Sequence, residues 1–263
     1  MHITVFASGS SGNCLLVSAA GSNLLIDAGI SMRRIQSGLQ QIGQHLQNIG
    51  GVLITHEHSD HISGLKMLVK YYHIPVYAPR TVANRLRGML PEIDEVLRVI
   101  PVGECFPVGG FSVRAFHTPH DTDESVGYRV EGTGVFALAT DMGCVTEEVA
   151  AALRGADTVL IESNHDEEML RYGPYPVYLK RRILSDHGHL SNENCAKLAR
   201  ELAESGTKRI VLGHLSRENN KPELALTAAR AALEGTGAWV DCAPVSGCMC
   251  VPVERMELCS RSN

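Results

Sequence analysis

VLITHEHSDH, residues 52–61, decides how the rest of this chain is read. Val52, Leu53, Ile54 and Thr55 make a short run suited to a buried strand. The run stops abruptly at His56, Glu57, His58, Asp60 and His61. A strand that ends in imidazoles and carboxylates holds metal-ligating side chains on a rigid frame. His56 and His58 sit two apart and can face one side of an extended segment. Asp60 and His61 follow where the chain turns toward the helical pattern of SGLKMLVKYY, so they can aim at a second point nearby. Such a loop suits one metal with three protein ligands and an open position. It equally suits two metals roughly 3.5–4 Å apart. Glu57 reads as a supporting or exposed residue.

The same pattern recurs further out. Asp27 ends NLLID, His120 ends VRAFHTPH, Asp141 ends VFALATD and His214 ends RIVLGH. Strand ends in a packed sheet share one edge of a domain, so these residues are candidates for a common site. His117 competes with His120 within FHTPHD, and His120 is preferred because it lies past the strand.

Short β-rich runs separated by Gly/Ser turns open the chain (HITVFAS, NCLLVSA, NLLIDAG), the signal for adjacent antiparallel strands. Helical patterns follow in SMRRIQSGLQQIG, with Ser31 as N-cap, and in TVANRLRGML. The second half repeats the scheme, with SVGYRVEG, GVFALATDMG, DTVLIESN and KRIVLGH as strands and TEEVAAALRG, NENCAKLARELAESG and KPELALTAARAALEG as helices. AWVDCAPV and MCVPVERM close as strands. This order predicts an αββα four-layer sandwich, two packed mixed β-sheets with helices outside, in one domain over residues 1–263.

A composition of 44% hydrophobic and 20% charged residues supports a sizeable core, and no apolar run approaches membrane-span length. MHITVFASGSSGNC lacks a basic segment followed by an apolar stretch, so no signal peptide is expected and the cytoplasm is the expected compartment. The net charge of -5 announces no basic binding face, yet leaves room for a local cluster. Eight cysteines (14, 105, 144, 195, 242, 248, 250 and 259) show no CxxC spacing and read as reduced thiols. Cys248 and Cys250, with Cys242 upstream, could hold a structural zinc but read first as small residues on a buried strand.

THEHSDH, then LLIDAG before it and TPHD, ATDMG and LGHLS after it, resemble the metallo-β-lactamase superfamily in its binuclear hydrolase branch, over nearly the whole chain. FASGSSGNC, ESNHD (162–166) and GHLSNEN (188–194) resemble the YycJ/WalJ group, relatives of ribonuclease Z and the β-CASP nucleases described as 5′→3′ exonuclease-like. Nothing like the long β-CASP insertion is present. The resemblance implies one metal on His56, His58 and His120, another on Asp60, His61 and His214, and Asp141 bridging both. Asp27 would stand behind a ligand and orient it. A hydroxide between the metals would be the nucleophile, and the ligand set suits Zn²⁺ or Mn²⁺. By likeness to ribonuclease Z, His189 would act on the scissile phosphate, steered by Glu162.

His189 lies just before Ser191, an expected helix N-cap, so backbone N–H groups near Ser191 and Asn192 could also meet phosphate. Arg171, Lys180, Arg181 and Arg182 lie between ESNHD and HGHLS as candidate backbone contacts, with Tyr172, Tyr175 and Tyr178 interleaved; the bland alternative is a solvated face. His187 reads as a solvated loop residue. SGSSGN lacks the GK[ST] ending of a Walker loop and reads as a hairpin turn near the site. The expected activity is a metal-dependent phosphodiesterase on nucleic acid, a 5′→3′ exonuclease with DNA ahead of RNA. No membrane partner is expected, and a homodimer is compatible with this reading. The competing class is a small-molecule hydrolase of the same fold, a cyclic-phosphate diesterase or lactonase. A catalytically silent module would have lost ligands, and here every ligand position is filled.

Overall fold

Apolar side chains alternate along the strands, and the alternation sorts them into three separate hydrophobic layers. The computed structural model describes residues 1–254 and arranges their strands in two seven-stranded sheets. The first holds β1 (His2–Ala7), β2 (Cys14–Ala19), β3 (Ser22–Ile26), β4 (Ile49–Leu53), β5 (Val76–Ala78) and β6 (Leu97–Val99) side by side. The second runs from β7 (Cys105–Val108) through β8 (Phe111–His117), β9 (Val126–Glu131), β10 (Val135–Ala139), β11 (Thr158–Glu162) and β12 (Arg209–Gly213) to β13 (Trp239–Cys242). β14 (Met249–Pro252) then crosses back and pairs antiparallel with β1. Both sheets are mixed: β1, β2 and β3 are antiparallel and β3 to β6 parallel, while β7 to β10 are antiparallel and β10 to β13 parallel.

Ile3, Val5, Leu15, Val17, Leu24 and Ile26 point between the sheets and meet Val113, Tyr128, Phe136, Leu138, Leu160 and Val211. Their strand neighbours Phe6, Leu16 and Leu25 face outward, under α1 (Met32–Gln41), α3 (Leu65–Tyr72) and α4 (Arg80–Met89). On the second sheet Ala137, Val159, Ile161, Ile210 and Leu212 face α5 (Glu147–Leu153), α8 (Asn192–Glu204) and α9 (Pro222–Ala232). Three apolar interlayers between four layers are the expected αββα sandwich. Among the described residues no helix is long and apolar enough to cross a membrane.

Two differences bear on function. The stretch between ESNHD and HGHLS, where the sequence suggested no helix, forms α6 (Glu167–Tyr172) and α7 (Val177–Ile183). Asp166 caps α6 by accepting from the Met169 N–H at 2.8 Å, and Pro176 precedes the first turn of α7. A helical period was hard to see because so few of these positions are buried. Cys248 and Cys250 are exposed on and beside the edge strand β14, not buried, since the strand's other face alone meets the core. Cys259 lies outside the described residues.

The remaining short helix, α2 (Ser59–Ile62), carries the second half of the histidine loop and is bound tightly to the turn after β3. The Asn13 N–H donates to the Asp60 carbonyl at 2.7 Å, Ala28 N–H to His61 O at 2.8 Å, and Gly29 N–H to Asn13 O at 2.8 Å. Gly29 is needed for this approach: a Cβ there would lie 1.5 Å from the Asp60 carbonyl oxygen. Gly29→Ala must therefore push the loop away, at a cost of about 1–3 kcal/mol or more. We expect a lower urea midpoint with an unaltered m-value; an unchanged midpoint would show that this contact does not hold the loop.

Candidate metal centre

The histidine loop begins where β4 meets the second sheet. Tyr128, buried between the sheets, donates its hydroxyl to the Ile54 carbonyl at 2.6 Å, and the Val126 N–H donates to Thr55 O at 3.1 Å. Opposite, the His214 N–H donates to the Ser8 hydroxyl at 2.8 Å. These cross-sheet bonds bring two sets of strand ends to one seam. His56, His58, Asp60 and His61 come from the first sheet, and His120, Asp141, Glu162 and His214 from the second.

The side chains gather into two overlapping groups. His56, His58 and His120 each offer a ligand atom within 4.8 Å of one another, and so do Asp60, His61 and His214. Asp141 lies between them, with Oδ2 3.4 Å from His61 Nε2 and Oδ1 3.4 Å from His214 Nε2 and 3.8 Å from His120 Nε2. Asp60 Oδ2 is 3.4 Å from His61 Nε2 and 3.6 Å from His214 Nε2. Asp27, Asp141 and His214 all have left-handed backbone, with φ of 59°, 57° and 54°. Non-glycine residues are uncommon there and held only by surrounding structure. Each follows closely on a strand, so the reversal of the chain turns its side chain back over the seam.

Behind the groups, acceptors fix the rings. His61 Nδ1 lies 2.8 Å from Asp27 Oδ2, and Asp27 also accepts from the Thr55 N–H at 2.9 Å and the Thr55 hydroxyl at 3.0 Å. His56 Nδ1 is 3.1 Å from the Thr55 hydroxyl, His120 Nδ1 3.3 Å from Gly188 O, and His214 Nδ1 2.9 Å from Glu162 Oε1. In each case an Nδ1–H donated backward leaves Nε2 as a lone pair facing forward, the tautomer a metal ligand needs. His56 Nε2, His214 Nε2 and Asp141 Oδ2 are buried and have no hydrogen-bond partner among the described residues. Buried polar atoms are otherwise almost always paired. Orphaned nitrogens and a carboxylate oxygen converging on one place fit a bound cation.

Electrostatics point the same way. Burial, with the neighbouring His61, His120 and His58 rings adding to it, holds His56 well below the usual histidine range, so its lone pair is free. Burial opposes charge on His61, but Asp27 and Asp141 outweigh it and raise that ring to about 10. Burial likewise disfavours ionised Asp141, yet His214 and His61 keep it below the usual carboxylate range. The pocket thus carries a surplus of negative potential where divalent cations would sit.

The structure brings His189 and Glu162 to the same place. His189 Nδ1 is 2.8 Å from Glu162 Oε1 and 4.0 Å from Asp141 Oδ1, and its ring stacks on His214 with centroids 5.3 Å apart. Glu162 is fully buried, and its Oε2 accepts from the Met142 N–H at 2.9 Å and the Leu190 N–H at 3.2 Å. Burial works against charge on His189, but Glu162 more than compensates and raises it. His117 is exposed beside Glu148 and outside the groups, and His187 is exposed.

The structure does not offer Ser191 and Asn192 as substrate contacts. Ser191 Oγ accepts the Asn194 N–H at 3.3 Å as helix cap, and the Asn192 side chain is buried, 2.7 Å from the Ser163 hydroxyl and 2.9 Å from Asn220. The Asn192 N–H is also taken, by His165 O at 2.8 Å. Among the basic residues, Arg182 pairs with Asp121, Lys180 donates to Arg171 O at 2.8 Å, Arg171 lies 3.6 Å from Glu167, and Arg181 is exposed.

Sequence reading missed Asn13 and Asp121. Asn13 Nδ2 lies 3.3 Å from Asp60 Oδ2 and 3.0 Å from His61 Nε2, so the SGSSGN turn reaches the site itself. Asp121 Oδ1 is 3.3 Å from His120 Nε2 and 4.0 Å from His58 Nε2. Its position directly after His120 was the available signal. Glu57 is half-buried and accepts from the Thr122 hydroxyl at 2.7 Å.

Residues 22–215 match the Beta-lactamase superfamily domain. The chain is 39% identical over 239 residues to Exodeoxyribonuclease YycJ of Bacillus anthracis, covering 90% of each chain. It is also 39% identical over 226 residues to Exodeoxyribonuclease WalJ of Streptococcus pneumoniae, covering 84% of each. Among solved structures it resembles the metallo-beta-lactamase fold protein YhfI from Bacillus subtilis, with a TM-score of 0.72, 15% identity, and coverage of 94% of this chain and 98% of that one.

Asp27→Asn removes the charge and replaces one of the two accepting oxygens by a donor, so Thr55 N–H and His61 Nδ1 can no longer both be accepted, and no forward-facing nitrogen is touched. We expect zinc affinity to fall by about 10- to 100-fold, read by competition with a chromogenic chelator. Wild-type affinity in this variant would show that Asp27 does not set the ring.

Proposed function

Because the chain belongs to the metallo-β-lactamase superfamily, and within it to the family of the YycJ and WalJ exodeoxyribonucleases, we propose that it is a metal-dependent phosphodiesterase working as a 5′→3′ exonuclease on DNA. The observation that carries this reading is the Glu162–His189 pair standing against the metal groups. A phosphodiester site gains from a proton donor for its leaving alkoxide, and a histidine backed by a buried carboxylate is suited to that task.

In this proposal His56, His58 and His120 would hold one cation and Asp60, His61 and His214 a second, with Asp141 within reach of both groups; zinc and manganese both suit the donors. When bound, the cations supply an acidified water and stabilise charge developing on the phosphate. The chain's own residues do the rest. Asp27, Thr55, Gly188 and Glu162 keep the imidazoles facing forward. Asn13 steadies Asp60. Glu162 holds the Nδ1 proton of His189, which leaves His189 Nε2 to protonate the departing oxygen. Against burial, Glu162 raises the pKa of His189, which favours the protonated ring that such a donor needs. The proposed compartment is the cytoplasm, where the thiols stay reduced. The net charge of -5 favours the competing reading, a small-molecule diesterase, because it repels a polyanion at long range.

Purified protein should carry close to two equivalents of zinc or manganese per chain, and inability to bind either would end this reading. His189→Ala should keep its metals while turnover on a phosphodiester falls about 10²–10⁴-fold; full activity would remove the acid role. With end-labelled DNA, the metal-loaded enzyme should release mononucleotides stepwise from the 5′ end. Internal cuts, or hydrolysis of small diesters alone, would transfer the protein to another class.

A further inference from the structure

Arg182 and Tyr178 lie four residues apart on α7, which places them on one face of the helix, about one turn apart. The direction of that face is set by Arg182, whose guanidinium donates to Asp121 Oδ2. The other oxygen of Asp121 lies 3.3 Å from His120 Nε2 and 4.0 Å from His58 Nε2. The face therefore looks onto the first metal group, with a carboxylate standing where an anionic oxygen would be welcome. Tyr178 is 74% exposed, and its ring stacks on no other ring among the described residues. Arg182 is itself 60% exposed, so its ion pair is weak and exchangeable. A phosphate offers a guanidinium two parallel bonds and competes well for it.

The last turn of α7 is also built into the loop of the proposed acid. The His189 N–H donates to Ile183 O at 3.0 Å and the Gly188 N–H to Ser185 O at 2.8 Å. A Cβ at Gly188 would lie 2.3 Å from Arg182 O, so helix end and loop are in direct contact. Whatever docks on the Tyr178–Arg182 face is thereby registered against both His120 and His189.

We propose that Tyr178 and Arg182 form a receiving site for one unpaired nucleotide: the tyrosine ring stacks its base, and Arg182 leaves Asp121 to take the adjoining phosphate. This rests on the nuclease reading and refines its substrate, since a base stacked on both faces inside a duplex has no free face for a side-chain ring. The site therefore accepts a single-stranded or frayed end. Arg181 and Lys180 on the same helix add positive potential beside it.

The test is a double-mutant cycle on the zinc-loaded enzyme, with 5′-phosphorylated single strands whose terminal linkages are phosphorothioate to slow cleavage. An abasic residue at one terminal position should weaken binding to wild type about tenfold. Tyr178→Ala should weaken binding of the intact strand to a similar degree, and the two changes together should cost no more than either alone. Tyr178→Phe should bind as wild type, and 2-aminopurine at the sensitive position should be quenched by wild type and Tyr178→Phe only. Independent, multiplying losses, or no sensitive terminal position, would overturn the receiving site while leaving the nuclease reading intact. A wild-type enzyme that neither binds nor cleaves these strands, yet hydrolyses a small phosphodiester, would overturn both.

Discussion

Asp141 is a buried carboxylate with one oxygen that has no hydrogen-bond partner among the described residues. Taking a carboxylate out of water costs several kcal/mol even after relaxation, so the arrangement around it must supply compensation. The comparison with its neighbours is instructive. Asp27 is covered by His61 and by both the backbone and hydroxyl of Thr55. Glu162 is covered by His189, His214, Met142 and Leu190. Asp141 faces forward, with Oδ2 3.4 Å from His61 Nε2 and Oδ1 3.4 Å from His214 Nε2. It draws positive charge toward itself: against burial, it and Asp27 raise His61 to about 10, and a bound cation would answer the same demand. The centre is therefore a place where the protein has stored an unmet electrostatic demand, and its rigid frame is what prevents the groups from rearranging to relieve it.

That frame explains why the site is at a seam. A single sheet presents its strand ends in a row, and a row cannot surround an ion. Two sheets packed face to face bring rows from opposite sides, and the bonds from Tyr128 to Ile54 and from His214 to Ser8 set their alignment. The left-handed turns at Asp27, Asp141 and His214 then reverse the chain within two residues of leaving the frame. A longer, relaxed loop would reach the same place with less strain but with many more conformations to lose. Strain of order 1–3 kcal/mol per residue is the cost of fixing direction, and the hydrophobic layers on both sides of each sheet are large enough to bear it.

The sandwich and the metal-facing residues were legible in sequence for one shared reason: both are periodic or punctuated. Strand alternation marks the layers, and a histidine or aspartate at the end of an apolar run stands out. His120 could be preferred over His117 because the strand's end falls between them. The helices α6 and α7 left no such mark, since most of their side chains face solvent and lack an apolar stripe. Asn13 and Asp121 were hidden differently. Asn13 acts through a contact across 47 residues of chain, which no local pattern records, and Asp121, though marked by its place after His120, is engaged by Arg182 from 61 residues away. Ser191 and Asn192 are the opposite case. A polar pair before a helix reads as available for phosphate, yet here the cap and the Ser163–Asn220 network consume those groups.

The placement of Glu162 ties these strands of argument together. One oxygen, Oε1, lies 2.9 Å from His214 Nδ1 and 2.8 Å from His189 Nδ1, so a single carboxylate orients both a metal-facing ring and the proposed acid. Its other oxygen holds the backbone at Met142, next to Asp141, and at Leu190, next to His189. Displacement of any one of these groups must be felt by the others, because the carboxylate is buried and has no room to swing independently. Since α7 is bonded to the His189 loop through Ile183, a shift of that helix reaches the metal-facing residues through Glu162. The proposed receiving face and the metal-facing groups are thus mechanically continuous. A substitution at Glu162 is expected to act on both at once, whereas one at Asp27, on the far side of the seam, acts on His61 directly and on His56 through Thr55.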